Sequence, residues 1–594
     1  MRARPRRPTS EEQFHQAPEA PNKFQLTRRT SNLNPRAARP SGAALVFALA
    51  CAWQLAAPQA AAQATQGRRP RAQGQAVTAA RRSGDSPLVR EAAALLQAGK
   101  VEEAEAAARG AVAAEPRDAE AHALLGVILV QRGRQDEGER ELRGALRLAP
   151  NSAGALTNLG VLLVRTNRAD EAVKTFEQVL RLAPGHAEAA YNLALLYVAR
   201  KDYARAIPLL ERLEVARGGP ESADMSLLLA LADAYAHAGR AALAARLSDA
   251  IERRAGDDPR PLFTLGLALA DAGAYERAAR LFGRTNELRP NTYEVLYNLG
   301  VALSNLDRLD EARNALQDAA TLRPDEPEVF YRLGLVASAK GESANALGLW
   351  QRAVKLRPEM AASYFMMAEE LVKNRRNETA LQFYEQAVAH DPSQPLYHIR
   401  LGVAHFRARR YQQAREVFER AAARFPDNAT IHYLVGYAAR AEGQFGLALK
   451  AFQRSLELQP DNAAAYANLG FLAEERGQHE EAERLLRRAL ALDPENYPAT
   501  YDLGRLLVRL KRYEEALPVL ERGSALGKGD PGVHYQLFLA YSRLGRKADA
   551  DRELATFKRL DEARKAADAG GASVKAEELP PPDAGTPAKD RGKQ

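Results

Sequence analysis

The 594-residue chain contains one cysteine, Cys51, so a disulfide framework, a Cys-based zinc site and a thioredoxin-type thiol pair are all excluded. Aromatic residues make up only 7%, and there are two tryptophans. Long hydrophobic runs are nearly absent. The strongest, Ala43 to Ala57, is shorter than the roughly 20 residues a bilayer span needs and already contains Gln54. The body of the chain also lacks an excess of either charge. The formal net charge is +9, but residues 1–84 alone carry +11, which leaves −2 for residues 85–594. A nucleic-acid binder needs basic side chains concentrated on one face, and this body has none to spare; no nucleic-acid partner is expected.

What is present starts with an export signature. The basic lead-in, the apolar core 43–57 and the small-residue stretch ending in Ala62-Gln63-Ala64 read as a signal peptide over 1–64, with cleavage after about Ala64. The lead-in is long, so either the start codon is set early or Arg28-Arg29 belongs to a twin-arginine signal. The mature chain would then begin near Thr65 without a cysteine and without an integral membrane span, in the periplasm or cell envelope. The alternative is an inner-membrane protein anchored by an uncleaved N-terminal segment. Residues 65–84 read as a disordered linker.

From residue 85 the chain repeats every 34 residues. Pro290, Pro324, Pro358, Pro392, Pro426, Pro460 and Pro494 stand at that spacing, as do Pro116, Pro150 and Pro184. With this proline as position 32, the repeats fall into 85–220 (one to four), a four-residue insertion at 221–224, and 225–564 (five to fourteen). The remainder, 565–594, reads as a disordered tail past Gly570-Gly571. Position 8 is small (Gly160, Gly300, Gly402) and position 20 is alanine (Ala172, Ala312, Ala414), with Gly138 the one departure. Position 24 is usually large and apolar. Position 15 is often glycine, which accepts the left-handed conformation that closes a helix, and the position-32 proline stops the next one. Each repeat is therefore expected to be two closely packed antiparallel helices.

Phase, small positions and proline together resemble the tetratricopeptide repeat family over about 480 residues. The resemblance implies an all-α, right-handed superhelical solenoid of about 14 helix pairs, with a concave surface lined by the first helices. The repeats also look like those of the O-linked N-acetylglucosamine transferase solenoid, without a catalytic domain. No catalytic fingerprint and no metal or cofactor constellation occurs. The four histidines at position 4, His122, His398, His432 and His534, read as packing residues. Glycines and a proline near 218–220 leave two readings open: an altered angle between a four-repeat and a ten-repeat block, or a longer loop.

The implied concave positions carry the candidate peptide-binding residues. Position 6 is asparagine at Asn158, Asn192, Asn298 and Asn468, similar to the ladder that holds an extended peptide backbone in the transferase solenoid. Position 5 is aromatic at Tyr191, Tyr297, Tyr331 and Tyr433, among others. The basic position 5 with Asn at position 9 that marks binding of chaperone C-termini occurs in no repeat. The expectation is a non-enzymatic scaffold for protein or peptide partners. The alternatives are a self-associating solenoid joined through uncapped ends and an accessory subunit of a carbohydrate-processing complex.

Overall fold

A computed structural model describes residues 86–527 and 529–569. The expected signal peptide, the whole of the linker and the tail beyond Ala569 lie outside the described residues. Within them are 28 α-helices and no strand, from Pro87–Gln97 to Lys547–Ala569. The helices pair in the register of the 34-residue period, two to a repeat, so the chain is an all-α solenoid of 14 helix pairs. It divides into two bodies, Met1–Asp325 with repeats one to seven and Glu326–Gln594 with repeats eight to fourteen.

Local chemistry sets each boundary. In eight of the fourteen repeats the residue before the first helix caps it with its side chain: Asp118 Oδ1 accepts from the Glu120 amide at 2.8 Å, and Asn428, Asn462 and Asn496 accept from the amides three residues on at 3.0–3.1 Å. At the other end of the pair, the position-32 proline keeps the residue before it out of the helical conformation. Ala149, Ala183 and Arg289 have φ near −135°, and the second helix stops there. Three position-4 histidines hold the carbonyl of the preceding repeat's proline, His122 on Pro116 at 3.1 Å, His398 on Pro392 at 3.0 Å and His432 on Pro426 at 2.9 Å. His122 and His534 also bond Glu141 and Glu553, each at 2.6 Å. These side chains are therefore more than packing rings: they join successive repeats or the two helices of one repeat.

The small positions are seats for the large side chain at position 24. A Cβ added to Gly160 would stand 2.6 Å from the Phe176 ring, and one on Gly300 2.5 Å from Leu316; Gly334 and Gly402 face Trp350 and Phe418 more closely still. Ala172, Ala312 and Ala414 have no exposed surface, nor do Phe176, Trp350 and Phe418.

Position 15 is left-handed in all fourteen repeats, whether or not it is glycine. Eight are glycines, and the rest are Asn167, Lys201, Asp307, Arg375, Arg409 and Lys511 with φ of 58–62°. The turn between the packed helices imposes the conformation, which costs an L-residue about 1–2 kcal/mol. Glycine removes that strain and adds about 0.5–1 kcal/mol of chain entropy to the unfolded state. Arg409→Gly is accordingly expected to stabilise the protein by up to about 1 kcal/mol, read as a higher denaturant midpoint.

The insertion is stitched into the packing. Gly218 and Gly219 turn the chain with φ of 89° and 87°. Arg217 pairs with Asp224 at 2.6 Å, and Arg254 donates to the carbonyls of Pro220 and Ala223, both at 2.7 Å. The second helix of repeat four packs directly on the first helix of repeat five.

Candidate functional site

In the first body, each first helix touches the first helix of the next repeat, and in the second body the same contact joins repeats twelve, thirteen and fourteen. Within each of these two stretches the first helices lie side by side.

In the first body, Asn192 and Asn298 are half-buried and donate Nδ2 to the carbonyl four residues earlier in their own helix, Glu188 at 2.9 Å and Glu294 at 2.7 Å. That bond fixes the amide plane and turns Oδ1 away from the helix as an acceptor. Asn158 is half-buried at the same register. Position 5 is more enclosed than the sequence implied: Tyr191 is only 3% exposed, whereas Tyr297 is half-buried and stacks on Tyr293 at 5.8 Å.

A charged cluster lies at positions 9 and 13 of repeats five and six. His237 bonds the carboxylates of Asp233 at 3.0 Å and Asp271 at 3.2 Å, and its ring stacks on Tyr203 at 4.9 Å. The two carboxylates raise the imidazole pKa to about 10, so the ring is a cation at neutral pH. His237 stands at position 13, not at position 4 with the other four histidines named above. The signal was position 13 read against position 13 of the next repeat, His237 and Asp271 standing one full period apart.

In the second body, Asn468 follows the ladder pattern, donating to Ala464 O at 2.8 Å, but it is buried and its Oδ1 has no hydrogen-bond partner among the described residues. Tyr331 and Tyr433 are buried, Tyr433 against Phe452 at 5.6 Å. Three of the four position-5 tyrosines therefore spend their ring faces on the fold. Half-buried arginines interleaved with a ring supply the other polar groups here. Arg440 and Arg505 lie over Phe471 at 5.1 and 5.9 Å. Arg505 and Arg509 converge on the buried Glu474, at 2.8 and 3.2 Å. Burial in this cluster pushes the Asp502 carboxyl up to about 6, with Arg505 opposing and Glu474 adding to the shift. Among the described residues no group of His, Cys, Asp and Glu could hold a metal ion, and no helix is long and apolar enough to cross a membrane.

Family profiles described as tetratricopeptide repeat match residues 89–153, 157–223 and 331–463, with further profiles of the same description covering 269–333, 451–484 and 473–535. The chain belongs to the tetratricopeptide repeat family. No curated protein matches it in sequence. Among solved structures, this tetratricopeptide repeat chain is similar to the Cut9–Hcn1 hetero-tetramer of the APC/C, at 14% identity over 76% of this chain and 96% of that one, with a TM-score of 0.31. Yeast Tom70 is 16% identical over 78% and 96%, TM-score 0.30. The C-terminal part of a TPR repeat-containing protein from Cytophaga hutchinsonii is 18% identical over 41% and 99%, TM-score 0.37. Such solenoids are typically protein-interaction scaffolds without chemistry of their own.

Proposed function

We propose that the chain is a non-enzymatic scaffold that binds extended peptide segments along the first-helix surface, in an exported, cell-envelope or secretion assembly. The observation that carries the reading is the tethered amide of Asn192 and Asn298. A carboxamide whose nitrogen is tied to its own helix presents one oriented acceptor to a passing backbone N–H and ignores the side chain it belongs to. Asn158 extends that row, and Tyr297 adds apolar contact beside it. Asn468 repeats the motif in the second body, where its acceptor is enclosed. Export rests on the apolar run 43–57 and the Ala62-Gln63-Ala64 site.

Each of the half-buried amides, Asn158, Asn192 and Asn298, is expected to contribute about 0.5–1.5 kcal/mol to binding as a net hydrogen bond. Replacing Asn158, Asn192, Asn298 and Asn468 by alanine should weaken capture of a partner peptide identified by pull-down more than it lowers the melting temperature. A control with four polar substitutions on the second helices should change neither. Equal affinity of the asparagine variant and the parent removes the ladder from recognition.

Self-association is favoured by one feature. The last repeat places Phe538 where other repeats have a small residue, and Tyr535, packed on Phe538 and Phe557 at 6.1 and 5.3 Å, is 40% exposed. Sedimentation of the mature chain separates this reading from the first.

A further inference from the structure

Where repeat eleven meets repeat twelve, an open cavity of about 320 Å³ lies between the second helix of repeat eleven, Phe445–Leu458, and both helices of repeat twelve, Ala463–Glu475 and His479–Leu492. Leu449, Gln453, Ala473, Arg476 and Gln478 are among the residues that line it.

The repeat register explains why this space is open. Ala473 is at position 11, where repeats four, five and fourteen have Tyr197, Tyr235 and Tyr541. Each of those phenols donates to the glutamate at position 25 of the preceding repeat, Glu177 at 2.7 Å, Glu211 at 2.8 Å and Glu521 at 2.6 Å. At this seam position 25 is Gln453, and no ring reaches it. A second link is also gone. In repeats two, three and thirteen, the position-16 arginines Arg134, Arg168 and Arg512 bond the position-21 glutamate of the preceding repeat, at 2.7–2.9 Å. Here those two positions are Gln478 and Leu449. Repeat eleven likewise has an alanine, Ala439, at position 11. There the largely buried Arg415 of repeat ten, at the position of Leu449, is held by Glu419 at 2.9 Å and Glu442 at 2.7 Å.

Arg476 has lost its partners in the same way. Its counterpart Arg132 pairs with Glu105 at 2.5 Å and Glu102 at 3.6 Å, and Arg200 pairs with Asp170 at 2.6 Å. The residues at those acidic positions on this seam are Leu449 and Gly446. Glu481, which also lines the cavity, is engaged by Arg484 at 2.6 Å. The seam therefore lacks one aromatic ring and one carboxylate, and it keeps a guanidinium and two carboxamides at the places where sister seams bind them.

The geometry points to a binding site for an aromatic carboxylate, its ring seated over Ala473 and its carboxylate on Arg476. A cavity of this size is at the small end of ligand pockets. Guanidinium matches carboxylate with two parallel donors. Gln453 and Gln478 can each donate to and accept from a phenolic hydroxyl. The same chemistry occurs in a free phenylalkanoic acid and in the aromatic C-terminal residue of another chain. The site lies apart from the asparagine ladder and stands or falls separately.

The test is titration calorimetry of the full mature chain with 3-(4-hydroxyphenyl)propanoate, with acetyl-Gly-Gly-Tyr carrying a free C-terminal carboxylate, and with the corresponding C-terminal amide. Saturable binding of the acids, and binding of the amide weaker by about tenfold or more, is expected. A tripeptide acid tighter than the free acid assigns the site to a chain terminus, and the reverse order assigns it to a small molecule. Ala473→Tyr combined with Gln453→Glu rebuilds the internal plug and should abolish binding with an unchanged circular dichroism spectrum. Leu449→Glu, a change at the cavity surface that supplies Arg476 with an internal carboxylate, should weaken acid binding about tenfold and decides the matter if the first variant fails to fold. No saturable binding to the parent at millimolar acid overturns the assignment, as does unchanged affinity in a folded Leu449→Glu variant.

Discussion

Trp350→Ala is expected to remove about 3–5 kcal/mol from the stability of repeat eight and to unfold it ahead of its neighbours. The indole is fully buried, its Nε1 donates to the Tyr331 carbonyl at 3.2 Å, and Gly334 presses against its face with no room for a methyl group. Removing the ring leaves a cavity bounded by backbone of both helices, which cannot close because each helix is also packed on the rest of the repeat. In a linear array the loss stays local, because each repeat touches only its neighbours. Denaturant unfolding followed by circular dichroism should therefore gain an early transition of partial amplitude. A single transition at the parent's midpoint would mean that Trp350 is not the residue that fills the repeat.

The second large effect is a pH dependence centred on His237. Its pKa is raised to about 10 in the fold, above the ordinary histidine value near 6.5. The stabilisation from charging the ring is therefore fully present below pH 6.5 and is lost as pH rises through about 10. The groups facing it are Asp233, Asp271 and Tyr203, and the Tyr203 phenol is pushed up to about 12, first by burial and then by the two carboxylates, so it stays neutral across this window. Two charge-assisted hydrogen bonds to a mostly buried ring correspond to about 1–3 kcal/mol. His237→Gln should lower amide-exchange protection of residues 225–271 at pH 6 by that amount, and the deficit should shrink toward zero as the pH passes 10. A deficit that does not change with pH assigns the ring a packing role alone.

The fold was legible because it is written fourteen times. A proline every 34 residues set the register, and Gly160, Ala172 and their equivalents announced a close helix pair. Position 15 was legible only where it is glycine. At Lys201, Arg375 and Arg409 the left-handed turn is imposed by the two helices it joins, and nothing in the residue reports it. The hydrogen bonds of His398 and His432 to proline carbonyls were illegible for a related reason: donor and acceptor belong to different repeats. The candidate residues differ by position: the position-6 amides of Asn158, Asn192 and Asn298 stay half-buried, whereas the position-5 rings of Tyr191, Tyr331 and Tyr433 are buried in the fold. The His237 cluster and the lining by Arg440, Arg505 and Phe471 join residues of successive repeats at positions 9, 12 and 13, whose identity varies from repeat to repeat, so each pair shows only when neighbouring repeats are compared.

The clasps between repeats also decide how the array yields to force. Arg134, Arg168 and Arg512 each bridge the second helix of one repeat to that of the next, and Tyr197, Tyr235 and Tyr541 do the same from the first helix. These links act as rivets along a stack of plates. The seam between repeats eleven and twelve carries neither kind, so within the second body it is a compliant joint, where a pull along the chain separates plates at a lower load than at the riveted seam between repeats twelve and thirteen. The arginine rivets are electrostatic and partly exposed, so added salt softens the riveted seams and leaves the bare one unchanged. Stiffness in this chain is thus set seam by seam, by side chains that contribute little to whether each repeat folds.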